Sequence, residues 1–131
     1  MRTLLLWIVA LSILGEGCQK KDTTPATPSS ITIDMANPSE GHVYHKGDTV
    51  FMNAVISYIS QMHAYELSIT KDTNTANLFY EYKHLYVDKA TISSYWVDTL
   101  SSSANLKLAV TVQIDHDGNQ RTVTTNLVSQ P

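Results

Sequence analysis

Five histidines are the side chains of this sequence best suited to chemistry near neutral pH: His42, His45, His63, His84 and His116. Neutral imidazole ligates zinc, copper and nickel through either ring nitrogen. His42 and His45 stand three apart in His42-Val43-Tyr44-His45, a turn-rich segment where a curl of the backbone would aim both at one ion. His63 and His116 fall beside expected loops. The candidate metal ligands are therefore His42, His45, His63 and His116, and zinc or copper is the metal they would take. Histidines scattered over the surface are the plainer account, and that account needs no cofactor.

A second group offers stacking rather than coordination. Tyr80, Tyr82, Tyr95 and Trp96 lie in an aromatic-rich middle of the chain, and exposed aromatic rings bind sugar faces or protein partners. These four are the candidate ligand-binding residues; packing in the core with hydroxyls at the rim is the alternative. Asp115-His116-Asp117-Gly118-Asn119 has the alternating aspartates and glycine of a calcium loop, but Arg121-Thr122-Val123-Thr124 supplies no later bidentate glutamate. A hairpin turn is the expected reading of that segment.

Catalytic patterns are missing from the sequence. It contains no nucleophile elbow, no glycine-rich phosphate loop, no metalloprotease helix motif and no paired carboxylates in a pocket-forming context. A non-enzymatic role is expected. The net charge of −3 argues against nucleic acid as a partner.

These residues must be positioned by β-structure. From Ile31 onward apolar and polar residues alternate between turn clusters, and no window of useful length has a helical period. Strands are expected near 30–36, 49–57, 62–70, 78–82, 91–100, 106–115 and 120–128. Val50, Met52, Ala54 and Ile56, then Tyr65, Leu67 and Ile69, then Leu106, Leu108, Val110, Val112 and Ile114 should form the core. The expected fold is all-β: a single antiparallel β-sandwich of about seven strands over residues 31–131. In that topology His63 and His116 gather near one end, with His42 and His45 toward the other, so one site using all four is not expected.

The beginning of the chain has a different composition. Arg2 precedes an apolar run from Leu4 to Leu14, too short for a spanning helix of about 20 residues but suited to a signal peptide over residues 1–17. Residues 18–30 read as a tether, because Gln19 to Ser30 has two prolines and no large apolar side chain with which to offset its ordering entropy. Leu14-Gly15-Glu16-Gly17-Cys18 resembles the lipobox of bacterial lipoproteins. The resemblance implies that Cys18, the only cysteine, receives a diacylglycerol and becomes the first mature residue. An ordinary signal peptide cut after Gly17 would instead leave Cys18 as a free thiol.

Farther on, Asn37-Pro38, Gly41 and Tyr44-His45-Lys46-Gly47-Asp48-Thr49-Val50, followed by Tyr65-Glu66-Leu67-Ser68-Ile69, resemble the small immunoglobulin-like lipoproteins of the Bacteroidota cell envelope. The resemblance covers the whole mature domain. It implies an immunoglobulin-like sandwich held to the outer membrane by its lipid, facing either the periplasm or the outside. It does not indicate a ligand; the aromatic residues make a monomeric binding or interaction module, with a glycan or an envelope protein as partner, the expected function. The alternative function is an envelope metal-binding protein that uses the histidines.

Overall fold

A computed structural model describes residues 26–131; the expected signal segment, Cys18 and the first part of the tether lie outside the described residues. Eight strands follow one another: β1 (Thr32–Asn37), β2 (His42–His45), β3 (Thr49–Ser57), β4 (Ala64–Lys71), β5 (Asn74–His84), β6 (Lys89–Val97), β7 (Ala104–Gln113) and β8 (Gln120–Gln130). They form two sheets, a three-stranded one in the order β1-β3-β6 and a five-stranded one in the order β2-β8-β7-β4-β5. The described residues are all-β, with their apolar core between the sheets.

Period-two alternation builds that core. Val50, Met52, Ala54 and Ile56 of β3 are buried, while Phe51 and Val55 between them are exposed. Facing them across the sandwich are Tyr65, Leu67 and Ile69 of β4 and Leu106, Leu108, Val110 and Val112 of β7, all buried. Fully burying such an aliphatic side chain contributes about 1.5–3 kcal/mol relative to leaving it exposed. Ile114, expected in the core, is only partly buried and packs at its margin, because the strand has already ended at Gln113.

The strand pairing departs from a purely antiparallel sandwich of seven strands. The additional strand is β2, which pairs parallel with β8 from His42↔Leu127 to His45↔Gln130. Four residues span too few alternations to signal a strand by pattern. What makes it one is its neighbour: Gly41 N donates to Asn126 O at 2.7 Å and Lys46 N to Gln130 O at 3.0 Å, fixing the segment along the edge of β8. In β5 the difference is one of extent, from Asn74 to His84 rather than 78–82. Pairing with β4 carries the strand past its apolar part, through Tyr82↔Glu66 and His84↔Ala64.

The last hairpin forms where expected. Asp115 accepts hydrogen bonds from Asp117 N (2.9 Å), Asn119 N (3.3 Å) and Asn119 Nδ2 (2.8 Å), and Gly118 takes a φ of 86° that side chains disfavour. The Asp115 carboxylate is thus committed to the turn. These bonds, the Asn119 side chain first, hold its pKa below the ordinary value.

The described end of the expected tether is attached to the domain. Pro28–Ser30 forms a 3-10 turn, Thr27 N donates to the Tyr58 hydroxyl at 3.1 Å, and Arg121 Nη1 donates to Ser29 O at 3.1 Å and Ile31 O at 2.5 Å.

Candidate functional site

Three chain segments converge at one end of the five-stranded sheet. His63 N donates to Gln113 O and Leu85 N donates to His63 O, each at 2.8 Å, so the residue preceding β4 is tied both to the end of β7 and to the residue following β5. Backbone pairing therefore places His63 between His84, the last residue of β5, and His116 of the β7–β8 turn. The His63 and His116 ring centroids are 3.9 Å apart with planes at 55°, and His63 and His84 are 5.1 Å apart at 70°. Tyr86 closes the group, 5.9 Å from His63.

His63 is only 7% exposed, whereas His84, His116 and Tyr86 are exposed. Its pKa lies below the ordinary imidazole value, first because its neighbours exclude water and then because His116 and His84 would repel a second positive charge; Asp115 works in the opposite direction. The neutral ring, with one nitrogen lone pair free, is the form this environment favours. Among the described residues no hydrogen bond uses the imidazole nitrogens of His63, His84 or His116, and no three His, Cys, Asp or Glu side chains are placed so that they could hold a metal ion without moving. As placed, the three rings pack on one another.

A row of aromatic rings leads to this group. On an antiparallel strand alternate side chains share a face, and Tyr80 and Tyr82 stand outward with His84, Tyr86 continuing the row past the strand end. The Tyr82 and His84 rings meet edge to face at 5.1 Å, and the His84 and Tyr86 rings lie parallel, within 5°, at 6.3 Å. Tyr80 and Tyr86 are 51% and 65% exposed. The Tyr80 hydroxyl donates to Glu66 Oε2 at 3.2 Å, and partial desolvation, then the Glu66 charge, push its pKa up. Beyond Tyr86 is an open recess lined by Ile59, Ser60, Gln61, Val87 and Asp88. The row is a platform with a shallow depression at its end.

The structure divides both sets of residues picked from the sequence. His42 and His45 sit on β2, at the opposite end of β8 from the turn that carries His116. Being three apart on a strand, they point to opposite faces and are separated by roughly 10 Å of backbone, so they cannot share an ion. The His42 and Tyr44 rings pack with centroids 4.5 Å apart and planes tilted by 50°, and His45 Nδ1 lies 3.7 Å from Asp48 Oδ2. Tyr95 faces outward from the other sheet, directly opposite Phe51, and Trp96 turns inward against the core beside Val50. Only Tyr80 and Tyr82 share a face.

Two members of the convergent group, His84 and Tyr86, were not among the residues selected for ligand binding or metal. Their signal was present in the alternation Tyr80-x-Tyr82-x-His84-x-Tyr86, which continues past the expected strand end at Tyr82. Two groups elsewhere have structural roles. Asp98, 1% exposed, accepts from Leu100 N at 2.9 Å and Ser129 Oγ at 2.5 Å, while its backbone pairs with Gly47 and Asp48. Glu81 bridges the sheets, accepting from Tyr65 Oη at 2.6 Å and Ser94 Oγ at 2.8 Å; burial and the Glu81 charge push the Tyr65 pKa up.

Comparison with protein-family models and with curated proteins found no match to this chain.

Proposed function

We propose that this chain is a lipid-anchored module of the bacterial cell envelope that binds a glycan without transforming it, using the outward row Tyr80, Tyr82, His84 and Tyr86. The observation that carries this reading is the row itself: exposed rings in sequence along one edge strand, with polar edges at Glu66 and the tyrosine hydroxyls. Tyrosine offers an apolar face for stacking on a sugar ring and a hydroxyl for its alcohols. A flat platform suits an extended chain better than it suits a small molecule, which needs concave burial.

An immunoglobulin-like classification is supported by the strand order. β1-β3-β6 corresponds to strands A, B and E, and β8-β7-β4-β5 to G, F, C and C′, with β2 as an extra segment beside the last strand. The anchor rests on Cys18 and the apolar run before it. An acyl anchor contributes about 0.8 kcal/mol per buried CH₂, so the domain needs no membrane-binding face.

The binding test is retention of the full chain on a panel of envelope and plant polysaccharides. Retention of the wild type and its loss in Tyr80→Ala and Tyr82→Ala, with Tyr95→Ala unaffected, is the expected outcome. Absence of retention on every polysaccharide, or equal retention of all variants, would overturn the reading. For the anchor, Cys18→Ser should give unprocessed precursor that takes up no labelled palmitate; normal labelling of that variant would refute it.

A further inference from the structure

We propose that His63, His84 and His116 form a binding site for one divalent transition-metal ion, zinc(II) or copper(II), at the end of the five-stranded sheet. Three chain segments are held there by backbone hydrogen bonds whose effect is to bring these imidazoles together: His63 N to Gln113 O, Leu85 N to His63 O, and the Asp115-centred turn that carries His116. The His116 and His84 rings lie 3.9 and 5.1 Å from that of His63, and the nitrogens of all three make no hydrogen bond to any described residue, which leaves their lone pairs open to a ligand. A bound cation would use these lone pairs.

The spacing suits coordination. With metal–nitrogen bonds of about 2.0–2.1 Å and a tetrahedral angle, two imidazole centroids on one ion stand about 5 Å apart. His63 and His84, at 5.1 Å, already have that separation. His63 and His116, at 3.9 Å, are closer than a shared ion permits, so the exposed His116 must back away by about 1 Å and the exposed His84 must turn a nitrogen inward. Both are rotations of exposed side chains. The nearly enclosed His63 stays fixed by its two backbone bonds and acts as the central ligand.

The ligand chemistry selects the class of metal. Three imidazoles and no thiolate favour copper(II), zinc(II) or nickel(II) over the hard ions calcium and magnesium, with copper bound most tightly. Three hydrogen bonds already hold the Asp115 carboxylate in the turn, so water is the expected fourth ligand. This set replaces the pairing with His42 and His45 and includes His84. The site shares His84 with the aromatic row but does not rest on the glycan reading, since Tyr80 and Tyr82 supply no ligand.

The test is titration of the full chain with zinc(II) or copper(II) alone, followed by calorimetry and thermal unfolding, with calcium(II) as a control. Expected are one equivalent bound and a midpoint raised by roughly 10 °C at a hundredfold excess over Kd, with no response to calcium. His84→Ala and His116→Ala, both at exposed positions, should each weaken binding at least tenfold, and His42→Ala and His45→Ala should leave it unchanged. No binding at excess metal would overturn the proposal. So would affinity that survives His84→Ala/His116→Ala or falls in His45→Ala. Tyr82→Ala should bind metal normally, so failure of the glycan reading would leave this result intact.

Discussion

The two ends of the five-stranded sheet handle polar side chains in opposite ways. At one, Asp98 is buried and its carboxylate is occupied by the Leu100 amide and the Ser129 hydroxyl, which fasten the end of β6 to β8. At the other, His63, His84 and His116 meet ring to ring, with none of their nitrogens hydrogen-bonded to a described residue. A buried charge whose bonding capacity is met internally serves stability and offers nothing to a ligand. Unused lone pairs at the margin of the fold do little for stability and leave room for one.

The largest expected effect lies at the Asp98 end. Asp98→Ala strands the buried Ser129 hydroxyl and the Leu100 amide, and should cost about 3 kcal/mol in urea unfolding with little change in the slope. A loss under about 1 kcal/mol would break the contrast, because the carboxylate would then be no more structural than a surface residue. Ser129→Ala removes one charge-assisted bond and leaves the other, so about 1.5 kcal/mol is expected from the same measurement. The opposite end should respond weakly: His84→Ala and His116→Ala should each change stability by no more than about 0.5 kcal/mol in metal-free buffer. Destabilisation as large as that of Asp98→Ala would make the imidazole group a structural device.

The smallest effect concerns pH. Glu40 accepts from Asn126 N at 2.9 Å and Asn126 Nδ2 at 2.8 Å, backbone bond first, and its folded pKa lies below the ordinary value of 4.5. Its contribution is therefore complete above the unfolded carboxyl value and is lost as pH falls through the lowered folded one. Comparing acid unfolding of wild type and Glu40→Gln should show a slightly shallower pH dependence in the variant below pH 4.5, small because the group is exposed. An identical pH dependence in the two proteins would remove Glu40 from the description of how β2 is held at that end.

Much of the architecture was legible from alternation. The strand expected at 49–57 is β3, Thr49–Ser57, and the final hairpin turned where Asp117-Gly118-Asn119 allowed it. The candidate site was only half legible. Tyr80 and Tyr82 could be picked as aromatic residues, and His63 and His116 could be assigned to one end of a sandwich. His84 and Tyr86 joined them only because pairing with β4 extends β5 beyond its apolar part. Trp96 and Tyr95 differ by one residue in sequence and by the whole thickness of a sheet in space, since neighbouring side chains on a strand face opposite ways.

What the sequence by itself determined is what depends on local pattern: an all-β chain, the faces of its longer strands, its turns, and the contrast between the apolar beginning and the remainder. Tertiary structure alone decided which strand edges meet. It made His42–His45 a parallel strand on β8, separated those two histidines by strand geometry, and placed His63 between the end of β5 and the β7–β8 turn. The physical reason is that these outcomes depend on hydrogen bonds between residues far apart in the chain, such as His63 with Gln113, and such partners leave no periodic trace in either segment.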